Sequence, residues 1–275
     1  TSSNNLPQTI GTYQTIYNGG TTDGFVAKLS TDGLTLQKVS YIGTNNYDNV
    51  FFIEVDFDGN IYLLGQSFGG SFPVINAGYV NLNSNQFICK LDSAMTTIVS
   101  STTFGNGNPA MLNISPSAFL VDRCGNIYAS GWGQTFTAPA LSGMPVTVDA
   151  FQNTPPNGHD FYLLVLDKSF NSIKYGSYMG GSQADEHVDG GTSRFDINGV
   201  MYQSVCGGCG GHSDFPTTTN AWSNINLSIA GGHCNNILFK FDYSLIPNSN
   251  FSVNEMNGCL NQTFQFQNTS NSFDS

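Results

Sequence analysis

Apolar and polar side chains alternate along short stretches of this chain, and the stretches return in a fixed order. In Phe25–Leu29, and again through Phe51, Ile53 and Val55, alternate residues point to opposite sides, so each stretch offers one face to a core and predicts a β-strand. The first of these strands returns as Phe87–Leu91, Tyr162–Leu166 and Ile237–Phe241, with starts 62, 75 and 75 residues apart. A second landmark is a turn that enters another strand. It reads Asp56-x-x-Gly59 before Tyr62, Asp122-x-x-Gly125 before Tyr128 and Asp196-x-x-Gly199 before Tyr202. The Asp side chain bonds the backbone two residues on and Gly accepts a positive φ, which is hairpin chemistry. The third landmark is a Pro six residues ahead of an aromatic, as in Pro7 with Tyr13, Pro73 with Tyr79, Pro145 with Phe151 and Pro216 with Trp222. A large apolar residue precedes each Pro: Leu6, Phe72, Met144 and Phe215.

Residues 25–65 therefore read as strand, turn, strand through Tyr41-Ile42-Gly43, strand, turn, strand, a four-stranded meander. The pattern predicts an all-β chain in which 23–66, 86–131 and 160–205 are equivalent units. The Pro-aromatic connector is expected to lead from one unit to the next, with Trp222 in the core like the other connector aromatics. A lone meander can neither bury both faces nor protect its edges, so it needs like neighbours. Radial repetition of four-stranded antiparallel meanders is a β-propeller, here about three blades plus partial ones. A stacked solenoid is the alternative, but its usual coil is shorter than this period.

These residues carry a resemblance. Phe25–Leu29, Tyr41–Gly43, Asp56–Gly65 and Phe72–Val74 together resemble the bacterial β-propeller repeat called the SBBP repeat. Val205–Thr217 followed by Asn235–Asp242 is similar to a variant in large gliding-motility-associated surface proteins. Beyond it, Asn250–Cys259 and Phe264–Ser270 resemble the opening strands of a PKD-like, immunoglobulin-like β-sandwich. The division implied is a propeller region over 1–247 and the beginning of a PKD-like domain over 248–275. Repeat 2 departs from the pattern, with Thr103-Phe104-Gly105 where repeats 1 and 3 have Tyr-x-Gly. The resemblance implies an exported protein, delivered by type IX secretion through a C-terminal signal, and no catalytic residue.

Composition narrows the partners. Only 10% of the 275 residues are charged while 13% are aromatic and 31 are Gly, which suits short strands and tight turns. A net charge of -11 gives no footprint for phosphate backbones, so nucleic acid is not an expected partner. No run of 18 apolar residues is present, and no membrane insertion by this segment is expected. The opening TSSNNLPQT lacks the basic and apolar parts of a signal peptide and the chain lacks an initiator Met. With the phase of the repeat, this reads as an internal piece of something longer.

Chemistry concentrates in one stretch. Cys206 and Cys209 stand in Cys-Gly-Gly-Cys-Gly-Gly-His212, and His233-Cys234 follows. In an extracellular chain, Cys206, Cys209 and Cys234 are expected to be structural cysteines, in disulfides or as buried thiols. Cys206, Cys209, His212 and Cys234 also form a tetrahedral zinc set in type and number, which remains open as the alternative. A redox centre is not expected, because no helix N-terminus is predicted to stabilise a thiolate. The pairings of Cys89 and Cys124 are open. The acidic groups Asp56 with Asp58, and Asp185-Glu186 with Asp189, are read as turn residues that cap backbone amides. His159 and His187 fall in polar stretches and are expected to be solvated. Trp132 between two glycines is the candidate ligand contact.

No cofactor is expected, and no phosphate loop or His-Glu-x-x-His is present. The expected role is a non-enzymatic extracellular cell-surface module, structural or adhesive, in an appendage or filament. Its expected partners are copies of itself, other surface proteins or surface glycans. The alternative is a lectin or carbohydrate-active enzyme on the same scaffold.

Overall fold

A computed structural model describes residues 1–7, 9–133, 140–157, 159–228, 233–245, 251–253 and 265–270. These form strands and turns with no helix, so none is long and apolar enough to cross a membrane among the described residues. The strands are β1 (Gly24–Leu29), β2 (Leu36–Ile42), β3 (Asp48–Val55), β4 (Ile61–Ser67), β5 (Gln86–Leu91), β6 (Ile98–Phe104), β7 (Ile114–Val121) and β8 (Ile127–Gly133). They continue as β9 (Phe161–Leu166), β10 (Ile173–Met179), β11 (Asp185–Phe195), β12 (Met201–Cys209), β13 (Asn235–Phe241), β14 (Phe251–Val253) and β15 (Phe266–Asn268).

Two complete antiparallel sheets, β3-β4-β5-β6 and β7-β8-β9-β10, are flanked by the pair β1-β2 and the three-stranded β11-β12-β13. β14 and β15 make a separate short pair. Residues 248–250, 254–264 and 271–275, Cys259 among them, lie outside the described residues.

The expected units have the right strands in the wrong phase. Residues 23–66 hold β1 to β4, yet β2 and β3 do not pair, and the same break separates β6 from β7 and β10 from β11. The Pro-aromatic connectors do not lead between sheets either. Three of the four lie within the long links 68–85, 134–160 and 210–234, each of which joins the second and third strands of one sheet, and Pro7 with Tyr13 precedes β1. Passage to the next sheet is made by 43–47, 105–113 and 180–184, immediately after each Tyr-x-Gly or Phe-Gly.

Between each successive pair of sheets lies an apolar layer. β9 shows the arrangement best, because Phe161–Leu166 is apolar throughout and fully buried. Tyr162, Leu164 and Leu166 pack toward Tyr62, Leu64 and Ile88 of the preceding sheet. Phe161, Leu163 and Val165 pack toward Met201 and Val205 of the following one. A continuous apolar run is what a strand covered on both faces requires. A third layer sets Val26 and Ile42 against Leu63, Phe87 and Leu91. Burying each such side chain contributes about 1.5–3 kcal/mol. First strands of adjacent sheets also touch, β3 against β7 and β7 against β11.

The connector aromatics Tyr13 and Tyr79 are partly covered by the hairpin of the next sheet, whereas Phe151 stays 53% exposed. Tyr13 N–H donates to Met95 O at 2.8 Å, Tyr79 N–H to Phe170 O at 2.9 Å, and the Phe151 ring stands 6.1 Å from that of Phe241. Trp222 occupies the same position in the last sheet and was expected in the core, but it is fully exposed at 104%. No further hairpin follows to cover it among the described residues.

Each passage between sheets is locked by polar groups. After β2, Gly43 N–H donates to Gln14 Oε1 at 3.1 Å, and after β10, Gly180 N–H donates to Gln152 Oε1 at 2.8 Å. In the middle passage Asn81 Nδ2 donates to Gly105 O at 2.6 Å. The glycine of Tyr-x-Gly has a steric reason. A Cβ on Gly43 would stand 2.6 Å from the Asp23 carboxyl carbon, and one on Gly180 would stand 2.3 Å from that of Asp160. The tyrosine has one too: Tyr178 Oη donates to the carbonyls of Leu141 and Met144, both at 3.0 Å, whereas Thr103 holds this place in the middle sheet and its Oγ1 donates to Asn81 O at 3.0 Å.

Candidate functional site

Three places in the fold gather functional groups. At one end of the stack the β3-β4, β7-β8 and β11-β12 hairpins converge, and the residues following each turn Asp, namely Phe57, Arg123 and Ile197, line a cleft of about 280 Å³. Asp56 and Asp122 lie in its wall, as an acid and base on a substrate would require. Their oxygens serve the turns instead. Asp122 Oδ1 accepts from Cys124 N–H and Asn126 N–H, both at 2.8 Å, while Oδ2 accepts from Asn126 Nδ2 at 2.9 Å and Tyr128 Oη at 3.1 Å. Asp56 Oδ1 accepts from Asp58 N–H at 3.0 Å and Asn60 N–H at 2.8 Å, and Oδ2 pairs with Lys90 Nζ at 3.1 Å. Burial would raise the Asp56 pKa, but the bonds from Asn60 and Lys90 outweigh it and hold the carboxyl below its ordinary value. Gly59, Gly125 and Gly199 have φ of 80°, 85° and 75°, the left-handed region for which the turn needs Gly.

The second place is the open face of β11-β12-β13. A broad cleft of about 510 Å³ runs over Arg194, Tyr202, Ser204, Leu238 and Lys240, with Lys240 Nζ 5.8 Å from the centre of the Tyr202 ring.

The third is the cysteine-rich end of that sheet. Cys209, the last residue of β12, is bonded to Cys234, which stands just before β13. Cys206 is a half-buried free thiol. The zinc set Cys206, Cys209, His212 and Cys234 is not assembled, because two of its sulfurs are bonded to each other and His212 is carried away. The chain turns back after β12 through Gly210 and Gly211, at φ 86° and 84°, and His212 N–H closes this turn on Gly208 O at 3.1 Å.

His187 stands where His212 was expected. It lies in β11 directly across from Cys206, and its Nδ1 is 3.8 Å from Cys209 Sγ. It is therefore half-buried in a strand and not a solvated loop residue. Asp185, Glu186 and Asp189 also lie in β11 and not in a turn. Glu186 is wholly buried, and its two oxygens accept from Gly181 N–H at 2.9 Å and Gly208 N–H at 3.1 Å, tying both ends of the site together.

Trp132 of β8 is partly buried with its ring 5.7 Å from the His187 imidazole, so it walls this site rather than facing solvent. His159 precedes β9, where its N–H donates to Asn157 Oδ1 at 2.9 Å, well removed in sequence from the cysteines. Cys89 is buried in β5, and burial pushes its thiol far above the ordinary range. Cys124 is exposed in the β7-β8 turn. The signal for His187 was present as the alternation His187-x-Asp189, obscured by the glycine pair that follows. Against known proteins the chain matches no family model and no curated sequence.

Proposed function

We propose that residues 1–247 belong to a β-propeller of a secreted cell-surface protein, that 248–275 begin a PKD-like module, and that the whole serves as a non-enzymatic structural or adhesive element. What carries the reading is the use made of the carboxylates. Asp56, Asp122 and Glu186, the acids at the turn cleft and at the cysteine-rich end, spend their oxygens on backbone amides and on the turns that shape the strands. A carboxylate that accepts two or more such bonds is a structural acceptor with little capacity left for a proton in flight. The sheets stack by repeating one apolar layer, and the passages between them are closed by buried carboxylates and amides, which suits a rigid display surface. Partners are copies of the same chain or other surface proteins, exported by type IX secretion.

Exposed Trp222 favours a second reading, in which the long link 210–234 contacts surface glycans by stacking a sugar on the indole. Protease shaving and antibody labelling of intact cells, with attachment and motility measured in a strain lacking the parent gene, test the proposal. Surface exposure with impaired attachment supports it. An intracellular location, or unchanged attachment with loss of a hydrolytic activity, overturns it.

A further inference from the structure

We propose a zinc site on His187, Asp189 and Cys206, separate from the Cys209–Cys234 disulfide beside it. One donor atom from each of the three residues lies within 4.8 Å of the others. The local backbone explains why they meet. Cys206 is the cross-strand partner of His187, which places the two side chains on one side of the β11-β12 ladder. Between His187 and Thr192 the ladder shifts register, and this bulge carries Asp189 to the same place. Bulges commonly re-aim a side chain toward a site in this way.

The donor set selects the metal. An imidazole, a thiolate and one carboxylate suit zinc, whereas calcium and magnesium require a cage of oxygens. Zinc bonds of about 2.0–2.3 Å in a tetrahedron put neighbouring donors about 3.3–3.7 Å apart, so the three groups close by roughly 1 Å on binding. Water completes the four ligands.

The disulfide makes this set distinct from the three-sulfur one. With Cys209 and Cys234 bonded to each other, Cys206 is the sole free thiol at the site among the described residues. The His187 contact with Cys209 Sγ and the Trp132 ring beside the imidazole fix the ring from two sides, which prepares the geometry before an ion arrives.

The test uses the full chain, purified without reductant, stripped with EDTA and titrated with zinc chloride. One zinc ion per chain is expected, and zinc should slow N-ethylmaleimide labelling of Cys206 by about tenfold or more. Labelling of exposed Cys124, read on its own peptide by mass spectrometry, should not change and is the internal control. His187→Ala and Asp189→Asn should each weaken zinc binding by about tenfold or more, and Cys206→Ser should abolish it. Unchanged labelling of Cys206 at saturating zinc overturns the proposal without needing any variant to fold. Zinc uptake only after reduction of the disulfide, and lost in Cys234→Ser, also overturns it by assigning the metal to the three sulfurs.

Discussion

The first and third passages between sheets are built around carboxylates, and the middle one around amides. Asp23 with Asp48 guards the first, Asp160 with Glu186 the third, and Asn85 with Asn113 the second; all six are fully buried. Asn85 is satisfied at both ends of its side chain. Oδ1 accepts from Gly70 N–H at 2.8 Å, and Nδ2 donates to Pro109 O at 3.0 Å and Met111 O at 2.7 Å. Asp23 can only accept. Oδ2 takes Asn18 N–H at 2.8 Å and Gln14 Nε2 at 3.1 Å, while Oδ1 has no partner among the described residues. One slot in the fold thus accepts either chemistry, but the carboxylate leaves a buried charge incompletely bonded, a costly arrangement. The third passage offsets this with Glu186, bonded through both oxygens, and with a covalent link that the other two lack.

That link gives the largest expected effect. Cys209→Ser opens a loop of 25 residues, and chain entropy alone predicts a loss of about 3–4 kcal/mol. Urea unfolding should show it, while Cys206→Ser in metal-free buffer should stay within about 0.5 kcal/mol of the parent. Equal losses from the two would mean that Cys206 shares in the brace.

Next come the passage glycines. Gly43→Ala, Gly105→Ala and Gly180→Ala each drive a Cβ into a buried polar side chain and should cost about 1–3 kcal/mol. At Gly105, whose φ is 153°, the substituted side chain would add backbone strain as well. A neutral result at Gly43 and Gly180 would dismiss the steric account of Tyr-x-Gly.

A smaller effect separates acid from amide. Burial, then the nearby Asp48 charge, raises the Asp23 pKa against the opposing bonds from Asn18 and Gln14. A folded pKa above the unfolded value penalises the ionised fold, so the penalty stands at neutral pH and is relieved as pH falls through the folded pKa. Asp23→Asn should therefore raise the melting temperature at pH 7 by a few degrees at most, a gain that vanishes below pH 3.8. Asp56 and Asp92, whose pKa values are lowered, run the other way and lose stability as pH falls through their folded values. A gain from Asp23→Asn that persists in acid would rule out charge burial as its cause.

The smallest is at Trp222, and a connector aromatic that a following sheet covers is its contrast. Trp222→Ala should leave stability within about 0.5 kcal/mol, whereas Tyr79→Ala, deleting a ring packed against the core, should cost about 3 kcal/mol or more. Thermal melts of the pair decide whether the connector aromatic matters only when a following sheet covers it.

Strands and hairpin turns were legible in the chain because they are local. Alternation in Phe25–Leu29, the full apolar run Phe161–Leu166 and Asp-x-x-Gly each dictate backbone shape within a few residues, and the elements formed where these patterns stand. Which strands share a sheet was not local. A short link such as 43–47 and a long one such as 68–85 both let antiparallel strands follow each other, and only packing decided that the short one leaves the sheet while the long one stays. The same holds for the site. Cys206 and Cys209 announced a cluster by their spacing, but the histidine beside them, His187, lies across a strand pair and came into place only through the ladder register and its bulge. Spacing along the chain determines which donors can share one strand, and tertiary pairing determines which of them meet, because hydrogen-bond register is set between strands and not within them.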